Sequence, residues 1–257
     1  MSNNSALLDR YVSRSMNSVQ GYLTSLDARI IAALLTYQAE DNITGHLCEV
    51  GVHHGRLFLM LALARRTGER ALAVDLFEDD VINTNTRHAG RNGALFANAR
   101  RLGIKLSEEE IFKGSSLDIT ANDILARTTG CVRFFSVDGS HLYRGVENDL
   151  RLAAQTLAPD GIIAVDDFFN PNWADVSWAT FVFLRETDAV VPFAITSKLY
   201  LAAPTMASKY KEALGKCAGL GRISCVQILG RDVLALKESL VERASDMLHN
   251  LLTRRAL

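Results

Sequence analysis

Three aspartates close two apolar segments of similar design. Phe134-Phe135-Ser136-Val137-Asp138-Gly139-Ser140-His141 is an apolar run ending in an acid and a polar turn, and Gly161-Ile162-Ile163-Ala164-Val165-Asp166-Asp167 repeats it 28 residues later, 138 to 166. A crossover of that length fits one helix between two parallel strands, so both strand ends reach the same edge of one sheet. Asp138, Asp166 and Asp167 then converge at a carboxyl edge, where open α/β sheets bind ligands. Carboxylates held together repel unless a cation, a proton or a base stands among them. A metal held by Asp138, Asp166 and Asp167 would have oxygen ligands alone, which favours a hard divalent ion: Mg²⁺ first, Mn²⁺ or Ca²⁺ as substitutes. The plainer reading is that one acid caps a helix and another solvates a loop. His141 stands where a general base could take a hydroxyl proton; a structural histidine or a cofactor contact is the other reading.

A second group of residues sits at earlier strand ends. Glu49-Val50-Gly51-Val52-His53-His54-Gly55 joins a strand to a helix starting near Arg56. Glycines in such a turn let the backbone approach a ligand, and the N–H groups at the helix start favour an anionic one, although a turn of this kind is often only a turn. The spacing is GxxxG, which counts against the GxGxxG of a nicotinamide dehydrogenase. His53 and His54 are placed to touch a cofactor; as adjacent side chains they are expected to diverge, which disfavours a shared metal. Asp75 closes Ala71-Leu72-Ala73-Val74-Asp75 beside that turn, where an acid can accept ribose hydroxyls. Lys113-Gly114-Ser115-Ser116-Leu117-Asp118 is a polar turn for an adenine or a helix cap through Ser116 or Asp118.

Regular alternation of short apolar runs with helical stretches must position these residues. Strands are predicted at 47–50, 71–75, 110–113, 132–137 and 161–165, and helices near 56–67, 93–102, 119–127, 143–156 and 177–187. That pattern argues for a parallel sheet covered on both faces. Pro192–Ser197, Lys198–Ala203, Ser224–Leu229 and Val233–Leu236 read as hairpin strands forming an antiparallel edge. Helical periodicity covers 7–39 and again 238–256. The 257 residues are 48% hydrophobic, enough for a full core, and the net charge of −1 leaves no basic excess for nucleic acid. Cys48, Cys131, Cys217 and Cys225 form no CxxC pair, and neither an export signal nor a membrane span is evident, so a reduced, cytoplasmic protein is expected.

The acid-x-Gly-xxx-Gly turn (Glu49, Gly51, Gly55) followed by Asp75 resembles the signature of class I S-adenosylmethionine-dependent methyltransferases. Val137-Asp138-Gly139-Ser140-His141-Leu142-Tyr143 and Leu157 through Asp167 are similar to the branch that includes macrocin O-methyltransferase and cephalosporin hydroxylase-like proteins. The resemblance, over about residues 44–203, implies an α/β, Rossmann-like fold with a seven-stranded, mostly parallel sheet of order 3-2-1-4-5-7-6 and helices on both faces. Together with the helical periodicity at both ends, which the resemblance does not cover, this divides the chain into a 1–43 helical extension, a 44–237 methyltransferase domain and a 238–257 C-terminal helix within one compact unit. Glu49, Gly51, His53 and Gly55 would then lie toward the methionine end of S-adenosyl-L-methionine, Asp75 at its ribose and Ser115 or Ser116 at its adenine, with Asp138 beside it. Asp138, Asp166 and Asp167 match the three positions that hold magnesium in metal-dependent members. Where the branch often has a further acid, this chain has Ser140, which moves a base role to His141.

Two stretches are expected to shape an acceptor pocket: the polar, aperiodic 76–92, and Phe168-Phe169-Asn170-Pro171-Asn172-Trp173, whose aromatics would wall a sugar or ring or else simply pack. The expected function is metal-assisted O-methyl transfer to a small hydroxylated acceptor, a sugar or a secondary metabolite. The alternatives are a metal-dependent hydroxylase-like enzyme on the same fold and a non-catalytic cofactor-binding protein. The terminal helices suggest a homo-oligomer; neither nucleic acid nor membrane is an expected partner.

Overall fold

The computed structural model describes residues 3–77, 92–217 and 219–238. All but the first residue of the predicted helix at 238–256 and most of the 76–92 stretch lie outside the described residues. Among the described residues nine strands form one sheet, in the order β3-β2-β1-β4-β5-β7-β6-β9-β8. They are β1 His46–Val50, β2 Ala71–Asp75, β3 Ile111–Lys113, β4 Val132–Val137, β5 Leu157–Val165, β6 Val191–Ile195, β7 Leu199–Ala202, β8 Arg222–Ile228 and β9 Arg231–Lys237. The first five are parallel, β7 runs antiparallel to both β5 and β6, and the β8–β9 hairpin adds β9 parallel to β6.

The expected order 3-2-1-4-5-7-6 is present, and two strands extend it. Between β7 and β8 lies a helix that periodicity did not mark, α8 (Pro204–Lys216), named here in chain order after α1 Asn3–Arg10, α2 Ser25–Glu40, α3 Arg56–Ala64, α4 Asn92–Arg101, α5 Ala121–Thr128, α6 Tyr143–Thr156 and α7 Ala174–Glu186. Pro204 in the first turn of α8 needs no partner for a missing N–H, and Met206, Ala207, Tyr210 and Leu214 are its buried residues.

Strand side chains alternate between two apolar layers. Leu47, Phe134 and Ile162 join the layer built with α2, α3 and α8; Cys48, Phe135 and Ile163 join the one built with α5, α6 and α7. Burial of each large apolar side chain contributes about 1.5–3 kcal/mol. Glu49 shares the parity of Leu47 and therefore faces the α2–α3 side. No helix among the described residues is long and apolar enough to cross a membrane.

The helix predicted over 7–39 is interrupted. After α1 come short helical turns at Tyr11–Ser15 and Met16–Ser18, and α2 starts afresh because Thr24 caps it, its Oγ1 accepting from Asp27 N at 3.0 Å. Arg56 clamps the intervening segment, donating from Nε to Val19 O at 2.7 Å. α2 is tied to the sheet at both ends. Near its C-terminus, Gln38 exchanges 2.8 Å hydrogen bonds with the backbone and side chain of Arg133, itself paired with Glu69 at 2.8 Å. Near its N-terminus, Asp27 reaches the β6–β7 turn.

Candidate active site

Strand register brings the predicted residues to one edge. Glu49 on β1 pairs with Ser136 on β4, and Val137 pairs with Val165 on β5. The ladder runs one residue further at each end: Gly51 N donates to Val74 O at 2.9 Å, Asp138 N to Val50 O at 2.9 Å and Asp166 N to Val137 O at 3.0 Å. Gly51 and Asp138 are in direct contact. A Cβ at Gly51, whose φ is +85°, would stand 1.9 Å from Asp138 O, and one at Gly55 (φ +90°) would meet Leu95 Cδ1 at 2.3 Å. Backbone packing thus demands glycine at position 51, while at position 55 the left-handed φ favours it and the Leu95 methyl could give way.

Asp75 braces the glycine turn. Its carboxylate accepts from Val52 N at 2.6 Å, His53 N at 2.8 Å and Phe77 N at 2.6 Å. These bonds fill about three of its four acceptor positions. His53 and His54 do not diverge as expected. His53 has a φ of +53°, and the two rings stack at 4.1 Å between centroids, with Tyr22 at 6.0 Å from His53. Glu49 is 2% exposed, and its Oε2 has no hydrogen-bond partner among the described residues. Burial drives its pKa well above the ordinary carboxylate range, against the opposing charge of Lys198.

Ser115 caps a short turn over Ser116–Asp118 by accepting from Leu117 N at 3.2 Å, and Asn148 on α6 holds Ser116 O at 2.9 Å. The cap of α5 is Thr120, paired reciprocally with Asp123, so neither Ser116 nor Asp118 has the capping role considered for it.

The three predicted metal ligands are divided. Asp166 Oδ1 stands 2.8 Å from the ammonium of Lys198, which is 3.9 Å from Asp138 Oδ2 and whose side chain is 2% exposed. Asp167, at a φ of +53°, turns the other way. Its Oδ2 lies 3.0 Å from His141 Nε2, and its Oδ1 accepts from Asn170 Nδ2 at 2.7 Å. Asp138, His141 and Asp167 present ligand atoms all within 4.8 Å of one another, a grouping that leaves out Asp166. The cation expected among the acids is therefore supplied, at Asp166, by the protein.

Electrostatics follows this division. Burial and the neighbouring Asp166 push the Asp138 carboxyl well above its usual range, partly offset by Lys198. Burial acts against Asp167 ionisation too, yet hydrogen bonds from His141 and Asn170 outweigh it and hold that carboxyl below its usual range. Burial alone would lower the Lys198 pKa; the charges of Asp166 and Asp138 raise it instead.

Trp173 stacks on His141 at 4.3 Å and closes one side of the cluster. Phe168 is 3% exposed and is core, whereas Phe169 is 58% exposed. Ser140, in the place of the branch's further acid, has its Oγ 3.2 Å from Leu142 N as a turn cap and packs where Gly145 leaves room. Lys198 and Asp27 are the two residues that sequence reasoning missed. The available signal for Lys198 was its being the one charged residue in the span Val190–Ser208.

Residues 48–168 match the family model of a methyltransferase domain. No curated protein sequence matches the chain. Among solved structures, the O-methyltransferase NovP is similar at a TM-score of 0.57, with 15% identity, over 78% of this chain and 99% of its own. An O-methyltransferase from Bacillus cereus, solved in complex with SAH, is similar at 0.50, with 12% identity, over 78% and 90%. At these identities the likeness is one of fold.

Proposed function

We propose that this chain, whose residues 48–168 match the family model of a methyltransferase domain, is a class I S-adenosylmethionine-dependent methyltransferase that transfers the sulfonium methyl group to a hydroxyl of a small acceptor such as a sugar or a secondary metabolite. The observation that carries the reading is the contact of Gly51 with Asp138: the turn suited to the cofactor adjoins the cluster that holds His141 and Asp167. Glu49, Gly51, His53 and Gly55 serve the methionine end, Asp75 the ribose through its remaining acceptor position, and Ser115 and Ser116 the adenine side.

His141, oriented by Asp167 and stacked on Trp173, takes the hydroxyl proton. The acceptor oxygen bonds to the methyl carbon as the carbon–sulfur bond breaks, leaving its electron pair on sulfur as a neutral thioether. Asp138 and Asp167 have oxygen donors close enough to serve one hard divalent ion, Mg²⁺ foremost. Such an ion, when bound, would orient the acceptor hydroxyl and lower its pKa. Calorimetry with S-adenosylhomocysteine, followed by methyl transfer from labelled S-adenosylmethionine to a panel of hydroxylated sugars, tests the reading. Binding of NAD with neither adenosyl compound bound overturns it.

A further inference from the structure

Lys198 is a buried charge that the reaction as described does not use. It ends the turn between β6 and β7, and that turn is held rigidly: Thr196 N donates to Lys198 O at 2.8 Å, Lys198 N to Thr196 Oγ1 at 3.1 Å and Phe168 N to Ser197 O at 3.1 Å. A lysine so placed cannot turn out to water, and a buried ammonium requires an anionic partner. That partner is Asp166 at 2.8 Å, with Asp138 behind it at 3.9 Å. Asp167, the next residue, faces His141 and Asn170 instead. Two consecutive acids are thereby assigned to different tasks.

We propose that Lys198 is a positioning residue of the methyl-transfer site: its ammonium holds Asp166, so that a divalent ion is served by Asp138 and Asp167 and not by Asp166. This rests on the metal-assisted reading above and departs from the three-aspartate set that the sequence suggests. Two carboxylates suffice for a hard ion, which keeps water or acceptor oxygens in its remaining positions. A fixed ammonium beside Asp138 also weakens the ion by like-charge repulsion.

The test is Mn²⁺ binding to the full chain, with S-adenosylhomocysteine binding measured in the same samples. Asp138→Asn and Asp167→Asn are each expected to weaken Mn²⁺ at least tenfold. The neutral double variant Lys198→Met/Asp166→Asn is expected to keep Mn²⁺ affinity within about threefold of the parent or to tighten it, since both partners of the pair leave together. Lys198→Met alone is expected to tighten Mn²⁺, because Asp166 becomes available, while Lys198→Arg stays near the parent. A tenfold or greater loss in the double variant, with its fold and S-adenosylhomocysteine binding intact, overturns the inference. So does a parent chain that binds S-adenosylhomocysteine and no Mn²⁺. Failure of the parent to bind S-adenosylhomocysteine overturns the methyltransferase reading instead. Should Lys198→Met not fold, the double variant decides.

Discussion

The carboxylate of Asp27, on the helix that precedes the sheet, accepts the hydroxyl of Ser197 at 2.7 Å, one residue before the lysine that faces Asp166. Thr24 and Tyr200 each add a 2.8 Å bond, and Thr196 a fourth. With 1% exposure and four hydroxyl donors, Asp27 has every acceptor position filled. The N-terminal helix is thus part of the site's framework. Asp27→Ala leaves those hydroxyls without their acceptor and should cost roughly 2–4 kcal/mol of stability. Because the turn carrying Lys198 loosens, methyl transfer should also fall, with the affinity for S-adenosylhomocysteine held. Thermal unfolding and calorimetry on one preparation check both; an unchanged melting temperature contradicts the framework role.

Asp75 has two duties, and its variants should show both. Its carboxylate holds three backbone N–H groups of the turns at Val52, His53 and Phe77, and its remaining position is the one proposed for the ribose. Asp75→Ala should weaken S-adenosylhomocysteine by about 1.5–3 kcal/mol, the scale of lost charged hydrogen bonds. It should also destabilise the unliganded chain, which a residue used for the ribose alone would not do. Melting curves with and without ligand separate the two effects.

Removal of divalent ions is expected to stop turnover while leaving nucleoside binding mostly intact, since Asp138 and Asp167 lie beyond the glycine turn. Full methyl transfer in excess EDTA, in protein freed of metal beforehand, rules the ion out.

His141 is close to Asp167 and stacked on Trp173, the arrangement of an oriented base. His141→Ala should lower kcat by about 10²-fold to 10⁴-fold, the usual range for loss of a general base, with the KM for the methyl donor little changed. Loss of Asp138 should cost more. A wild-type kcat in His141→Ala returns the residue to a packing role and leaves proton removal to another group.

The residues legible in the sequence were those whose meaning is local. The acids of Val137-Asp138 and Val165-Asp166-Asp167 follow from strand ends and one crossover, and the Glu49–Gly55 turn from its glycines. What stayed hidden depends on contacts between distant segments. Lys198 reaches Asp166 only because β7 pairs antiparallel with β5, setting Leu199 against Val165, and no periodicity within either segment encodes that register. The same holds for Asp27, whose partners Ser197 and Tyr200 are 170 and 173 residues away. The break in the N-terminal helix was readable in principle from Gly21 and the Thr24 cap, but the apolar rhythm that continues on both sides masked it.

Asp149 supplies a pH test from α6, where its Oδ2 would stand 3.2 Å from a Cβ at Gly139. It lies on α6 with no exposed surface, its Oδ2 without a hydrogen-bond partner among the described residues and its Oδ1 3.3 Å from Asn148 Nδ2. Burial pushes its pKa up to about 6, against the opposing hydrogen bonds of Ser116 and Asn148. The unfolded chain releases this proton near the ordinary aspartate value of about 4. Between about 4 and about 6 the folded state therefore binds the extra proton, so stability falls as pH rises through that window and levels off above it. Other buried acids share this sign, so the informative quantity is the difference between Asp149→Asn and its parent. That difference should be small near pH 4, grow in favour of the variant up to about pH 6, and reach at most about 3 kcal/mol at neutral pH. Urea titrations of both proteins across this range measure it. A pH-independent difference would mean that Asp149 ionises in the folded protein as it does in the unfolded chain.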